Sequence, residues 1–140
     1  MATKTISLYF DGYWMEPEIS EVPKQSGIFV VYACAKDAQE AAFVLKKVIY
    51  IGESENVNQR IAKYKEWPFW KNHCGAHQIC FSFAHVADRD RKRSEAALIY
   101  KHKPPVNERY IVTYPFDETS INLSGKIGLL SRSYTVNRKD

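Results

Sequence analysis

Val48-Ile49-Tyr50-Ile51-Gly52-Glu53-Ser54 is the stretch on which the reading of this chain turns. Residues 48–51 are β-branched or aromatic and predict a strand, which Gly52 breaks. Ser54 or Asn56 then predicts the N-cap of a helix that carries Arg60 in its second turn. A strand that breaks straight into a helix sets its last side chains beside those of the first helical turns. Tyr50 and Arg60 are therefore expected to share one pocket. The guanidinium fork matches a phosphate bidentately, which makes Arg60 a candidate phosphate ligand.

Working outward, residues 28–34 form an apolar run after Ser26-Gly27 and predict a buried strand. It is expected to pair antiparallel with residues 46–51 across a long connection. Near the N-terminus, residues 5–10 and 13–15 flank Asp11-Gly12, a favoured turn pair, which predicts a hairpin. Downstream, residues 54–65 predict a helix with Val57, Ile61 and Tyr64 facing inward. Trp67-Pro68-Phe69-Trp70 ends it and opens a short second helix. Residues 79–86 alternate as a strand. Asp88 or Asp90 is expected to cap a helix that runs to about His102 and stops at Pro104-Pro105. Short β-like pieces follow at 110–114, 121–123, 127–130 and 134–136. The expected class is α/β (α+β), one domain over 1–140: a core at 26–108, an N-terminal hairpin extension at 1–25 and a C-terminal extension at 109–140.

Composition limits the function. Apolar residues make up 45% and charged residues 26%, the balance of a globular domain. No apolar run approaches the roughly 20 residues that span a bilayer, so no membrane partner is expected. The N-terminus is too short and polar to read as a secretory signal. Cys34, Cys74 and Cys80 are odd in number, which fits reduced thiols in a cytoplasm better than a disulfide framework. The charge is unevenly spread. Residues 1–53 hold five Lys/Arg against seven Asp/Glu, whereas residues 54–110 hold eleven against six. The basic excess falls beside Tyr50 and Arg60, where an anionic partner would bind.

Glu95 adds a third group. On the helix ending near His102 it shares a face with Leu98 and Ile99. A carboxylate on an apolar stripe needs a partner: either a salt bridge to Arg91 or Arg60, or a metal ion. Mg²⁺ often takes one or two carboxylates, with water and phosphate oxygens completing its shell. Asn107 follows as a turn residue or a neutral amide returning to the site.

Together these residues resemble the GIY-YIG nuclease superfamily. Gly27-Ile28-Phe29 is similar to its first motif and Tyr50-Ile51-Gly52 to its second. Arg60 matches the helix arginine, Glu95 the metal-binding glutamate, Asn107 the asparagine of the excision-repair members, and Tyr64 a tyrosine or histidine found in the site. The resemblance spans about residues 26–108. It implies a small central antiparallel sheet of three strands flanked by helices, and hydrolysis of a DNA phosphodiester with one Mg²⁺ or Mn²⁺ on Glu95. It also implies that Arg60 neutralises phosphate charge, that Tyr50 orients or deprotonates the attacking water with Tyr64 in support, and that Asn107 holds the metal-side geometry or the backbone. Two residues depart from the pattern. Phe29 stands where the family has tyrosine, and Tyr32 is expected on the opposite strand face. Glu53 stands where several members carry a base; it would repel phosphate or add a second metal contact.

Other groups have two readings each. Arg91, Lys92 and Arg93, with Lys63 and Lys65, are candidates for contact with DNA or a solvated face. Trp67, Phe69 and Trp70 read as base-stacking groups or as core under a helix corner. His73, Cys74, His77 and Cys80 are zinc-ligand types, but all are local, and Cys80 is expected in the core. The expected function is a divalent-metal-dependent DNA endonuclease. The alternatives are a catalytically weak or inactive nucleic-acid binder and a protein-interaction domain on the same scaffold. High sequence specificity would call for a homodimer or for the C-terminal segment.

Overall fold

The computed structural model describes residues 3–37, 42–63 and 67–138. One sheet organises them. Its strands are β1 (Lys4–Met15), β2 (Gly27–Asp37), β3 (Ala42–Ser54), β4 (Gln78–His85), β5 (Thr119–Gly125) and β6 (Ser133–Val136), in the spatial order β3-β2-β4-β1-β5-β6. Every neighbouring pair is antiparallel except β1 and β5, which run parallel. Helices α1 (Val57–Lys63), α2 (Trp67–Cys74) and α3 (Asp88–His102) and a 3₁₀ segment (Glu16–Glu21) complete the domain. The class is mixed α+β, as expected. No helix among the described residues is long and apolar enough to cross a membrane.

β2 sorts the core into two layers, because successive side chains of a strand point to opposite faces. Ile28, Val30, Tyr32 and Cys34 pack in one cluster with Ala96, Ala97, Leu98 and Ile99 of α3. Phe29, Val31 and Ala33 pack in the other with Val57 and Ile61 of α1 and Trp70 of α2. A strand covered on both faces reads as an unbroken apolar run. The expectation that Tyr32 lies on the face away from Phe29 is met. All three cysteines are free and buried.

The N-terminal hairpin does not form. β1 runs straight through Asp11 and Gly12, which pair with Phe83 and Ser82 of β4. The register shifts between Gly12 and Trp14, and a Cβ on Gly12 would lie 3.1 Å from the Phe81 carbonyl. The glycine thus serves an irregularity and a close strand approach instead of a turn. Local Asp-Gly preference loses because β1 gains partners on both sides, β4 and β5, and buries Ile6, Leu8 and Phe10. The expected three-stranded core is present as β3-β2-β4, but β1, β5 and β6 extend the same sheet. Of the four C-terminal pieces, 121–123 and 134–136 fall in β5 and β6. Segments 110–114 and 127–130 are not strands but turn, bend and irregular backbone that bury Tyr114 and Leu130.

Of the two expected helix caps, the first is met and the second is not. Asn56 caps α1, its Oδ1 accepting the Gln59 N–H at 3.1 Å, while Ser54 Oγ accepts the Asn56 N–H at 3.1 Å. α3 begins at Asp88 with Ala87 as an N-cap that makes no side-chain bond. Asp88 instead turns its carboxylate to Arg91.

Candidate active site

The end of β3 is shaped by an irregularity in its pairing. Val31 faces Tyr50 and Tyr32 faces Val48, so Ile49 is an extra residue in β3. Such a bulge re-aims the side chains that follow it. Tyr50 thereby packs with the α1/α2 layer, its ring 5.6 Å from Trp70 and 6.0 Å from Phe29. Gly52 lies against these rings. A Cβ there would sit 2.4 Å from Phe29 Cζ and 2.9 Å from Tyr50 Cε2, so only glycine fits. Gly27, facing Ser54 across β2 and β3, is held equally tightly: a Cβ would lie 2.2 Å from the Ala84 carbonyl.

The chain after α3 returns to this strand end. Lys103 takes a left-handed φ of 48° and Pro104-Pro105 follows. The Val106 N–H then donates to the carbonyl of the extra residue Ile49 at 3.2 Å. Asn107 brackets Ile51: the Ile51 N–H donates to Oδ1 at 3.0 Å, and Nδ2 donates to the Ile51 carbonyl at 2.9 Å. Because β3 is a sheet edge, this amide occupies the place of a further strand. Of the two roles expected for Asn107, holding the backbone is the one its contacts describe.

These elements enclose a cleft of about 310 Å³ lined by Tyr50, Arg60, Glu95 and Asn107, with Glu53 and Arg109. Four of the five residues singled out as catalytic therefore share one cavity. The fifth, Tyr64, lies outside the described residues, as does Lys65. Arg60 donates from Nη1 to the Glu53 carbonyl at 3.1 Å, and its Cζ stands 5.9 Å from the Phe29 ring centroid. A second groove, about 320 Å³, shares Glu53 and Arg60 with the cleft and continues along Asn56 and Gln59. The larger groove, about 620 Å³, lies elsewhere, between Met15 and the end of α2; Lys71 is paired with Glu16 there at 3.3 Å.

The two acids at the centre differ. Glu53 binds the buried Arg91, which also holds Asp88 and donates to Ser26 Oγ at 3.0 Å. The negative charge expected at Glu53 is thus compensated from inside the protein. Glu95 makes no ion pair within 4.0 Å among the described residues, so neither arginine foreseen as its salt-bridge partner fills that role. Burial and the nearby Glu53 push its carboxyl up to about 7, against the opposing charges of Arg60 and Arg109 and a hydrogen bond from the Glu53 backbone. A half-buried carboxylate short of compensation suits a divalent cation that needs only one or two acidic ligands. Among the described residues, no three or more His, Cys, Asp or Glu come together as a metal-binding group.

The foreseen DNA-contacting cations fare differently. Arg91 is turned inward, as above. Arg93 is also internal: Nε donates to Thr119 Oγ1 at 2.8 Å, and Nη2 to the carbonyls of Asp117 and Glu118 at 3.1 and 3.0 Å. It tethers α3 to the segment leading into β5. Neither is presented to an external phosphate, whereas Lys63 and Lys92 are exposed. Of the aromatic group, Trp70 is core, Trp67 is half-buried and Phe69 is 59% exposed. Arg109 was not foreseen; its only signal in the sequence is a cation two residues beyond Asn107. Comparison with protein-family models, curated proteins and solved structures gives no significant match. The chemistry of the cleft is therefore read from its own residues.

Proposed function

We propose that the chain is a divalent-metal-dependent endonuclease of GIY-YIG type that hydrolyses DNA phosphodiester bonds. The observation that carries this reading is the meeting of a phenol, a guanidinium and a carboxyl group that has no ion pair among the described residues, Tyr50, Arg60 and Glu95, in one cleft. Tyr50 and Arg60 come from the consecutive elements β3 and α1, and Glu95 from α3, more than 30 residues downstream.

Glu95 would hold Mg²⁺ or Mn²⁺, which supplies Lewis-acid polarisation of a phosphoryl oxygen. Arg60 is held by the Glu53 carbonyl and backed by the Phe29 ring, so its fork is set in place before the charge develops. Donors fixed in this way favour the transition state most, since they need no reorganisation. Tyr50, wedged against Trp70, would act as its phenolate, taking the proton of the attacking water as the new P–O bond forms and later losing it to solvent. The scissile P–O ester bond then breaks, and the leaving alkoxide takes a proton from solvent. The bracket at Ile51 holds the residue next to Tyr50 and makes Asn107 a positioning residue.

One observation favours a second reading. Phe29 is fully buried and brings no hydroxyl to the site. A protein that binds DNA without cutting it would tolerate that loss. Incubation of supercoiled plasmid with the protein and Mg²⁺ or Mn²⁺ separates the readings. Cleavage that Glu95→Ala and Arg60→Ala both abolish supports the nuclease. Salt-dependent retention without cleavage supports the binder. No retention at low salt removes both.

A further inference from the structure

Arg109 is exposed and makes no hydrogen bond or ion pair among the described residues, yet it lines the cleft. A surface arginine with this freedom is ordinarily a solvated charge. Three features set this one apart. Its Cζ lies 5.3 Å from the Tyr110 ring centroid, so an aromatic face backs the guanidinium. Tyr110 holds a φ of +66°, a conformation that a bulky residue rarely adopts, and it lines the same cleft. The backbone two residues earlier is clamped to the β3 edge by Asn107. Arg109 is also near enough to Glu95 for its charge to favour the ionised carboxylate.

The surroundings are mixed in sign. Glu108 is exposed and lines the cleft, while Glu53 is compensated by Arg91. Arg60 and Arg109 thus stand on separate elements, α1 and the segment after α3, with Glu95 between them electrostatically. The second groove beyond Arg60 lengthens the path; the exposed Glu55 also lines it, and its Arg91 is held by Glu53 and Asp88, so the cations of the path are Arg60 and Arg109. A path with cations spaced along it suits a polyanion with successive phosphates better than a single small phosphate ester.

We infer that Arg109 binds a DNA phosphate flanking the scissile one, as a substrate-binding residue separate from the group that acts on the reacting phosphate. This rests on the proposed nuclease reading, and binding can be measured without cleavage. The probe is a labelled duplex oligonucleotide titrated in EDTA from 50 to 200 mM salt. The proteins are wild type, Arg109→Ala, Arg109→Lys and Lys47→Ala; Lys47 is an exposed cation in the middle of β3 that does not line the cleft. Arg109→Ala should bind about tenfold more weakly. The slope of log affinity against log salt should become shallower by about 0.9, one phosphate contact. Arg109→Lys should keep the slope, and Lys47→Ala should match wild type. In metal-dependent cleavage, Arg109→Ala should raise KM with kcat nearly unchanged, unlike Arg60→Ala, which should lower kcat. Equal behaviour of Arg109→Ala and Lys47→Ala, with wild type still binding, overturns the inference and leaves the nuclease reading standing. A wild type with no salt-dependent binding overturns both.

Discussion

Asn107 and Ile51 are joined by a two-way hydrogen bond in which a side-chain amide completes the main-chain ladder of an edge strand. Asn107→Ala leaves the Ile51 N–H and carbonyl without these partners at a half-buried site. The cost should be about 1–3 kcal/mol, seen as a drop of several degrees in thermal melting. Asn107→Asp should be less stable than wild type at pH 7, because an acceptor replaces the donor facing the Ile51 carbonyl. It should recover when the carboxylate is protonated. Equal melting of all three proteins would show that water or a side-chain neighbour satisfies Ile51 equally well.

At Glu95 the stability of the fold and the proposed metal binding would pull in opposite directions. Its carboxyl lies near 7 because burial and Glu53 disfavour the charge. At pH 8 the folded protein carries that charge at a cost, so Glu95→Gln should melt higher than wild type in EDTA. Mn²⁺ should raise the melting temperature of wild type and leave Glu95→Gln unmoved. The same substitution should abolish cleavage. Equal metal stabilisation of the two proteins would place the cation elsewhere.

His102 gives a pH dependence outside the cleft. Its Nδ1–H donates to the Leu98 carbonyl at 2.8 Å, and Nε2 accepts the Ser131 N–H at 2.9 Å. The Ser131 bond requires the neutral ring, whereas the Leu98 bond survives protonation. Burial holds its pKa below the ordinary 6.5, with the Lys101 charge adding to the effect against the Leu98 bond. The Tyr134 ring edge packs against it at 5.6 Å. With the folded pKa depressed, its contribution is fully present above about pH 6.5 and is lost as pH falls through the folded value. Glu95 titrates with the opposite sign nearby, so the comparison must be a difference. The stability advantage of wild type over His102→Gln, measured by urea unfolding, should shrink as pH drops from 7 to 5. A constant difference would mean that the ring does not titrate separately in the two states.

How far the sequence revealed this site depends on the kind of signal. Tyr50, Arg60 and Glu95 were legible because strand, break and helical phase are local patterns, and those patterns fixed their faces. The alternation of β2 likewise separates Phe29 from Tyr32 in the sequence itself. Arg91 and Arg93 were misplaced because a basic run on a helix does not reveal long-range acceptors: Glu53 and Ser26 for one, Thr119 and the carbonyls before it for the other. β1 was misread for the same reason. Asp11-Gly12 carries a turn signal, and what overrides it is pairing with β4 and with β5, more than 100 residues downstream. Arg109 was missed because its place depends on Asn107 docking at a sheet edge, which no periodicity encodes.

The last prediction concerns Gly52, whose hydrogen marks where two rings meet. A methyl there would overlap Phe29 Cζ and Cε1, at 2.4 and 2.6 Å, and crowd Tyr50 Cε2 at 2.9 Å. Phe29 is fully buried against Trp70 and cannot retreat freely, so Tyr50 should be the ring that yields. Gly52→Ala should destabilise by about 1–3 kcal/mol and lower kcat by more than the stability loss explains, because the Oη proposed to act on the attacking water moves with the ring. Phe29→Leu removes the atoms that clash, so Gly52→Ala should cost less in that background. Urea unfolding of the four proteins would give the coupling, expected at about 1 kcal/mol or more. Strict additivity would mean that the backbone, and not the Phe29 ring, is what Gly52 accommodates.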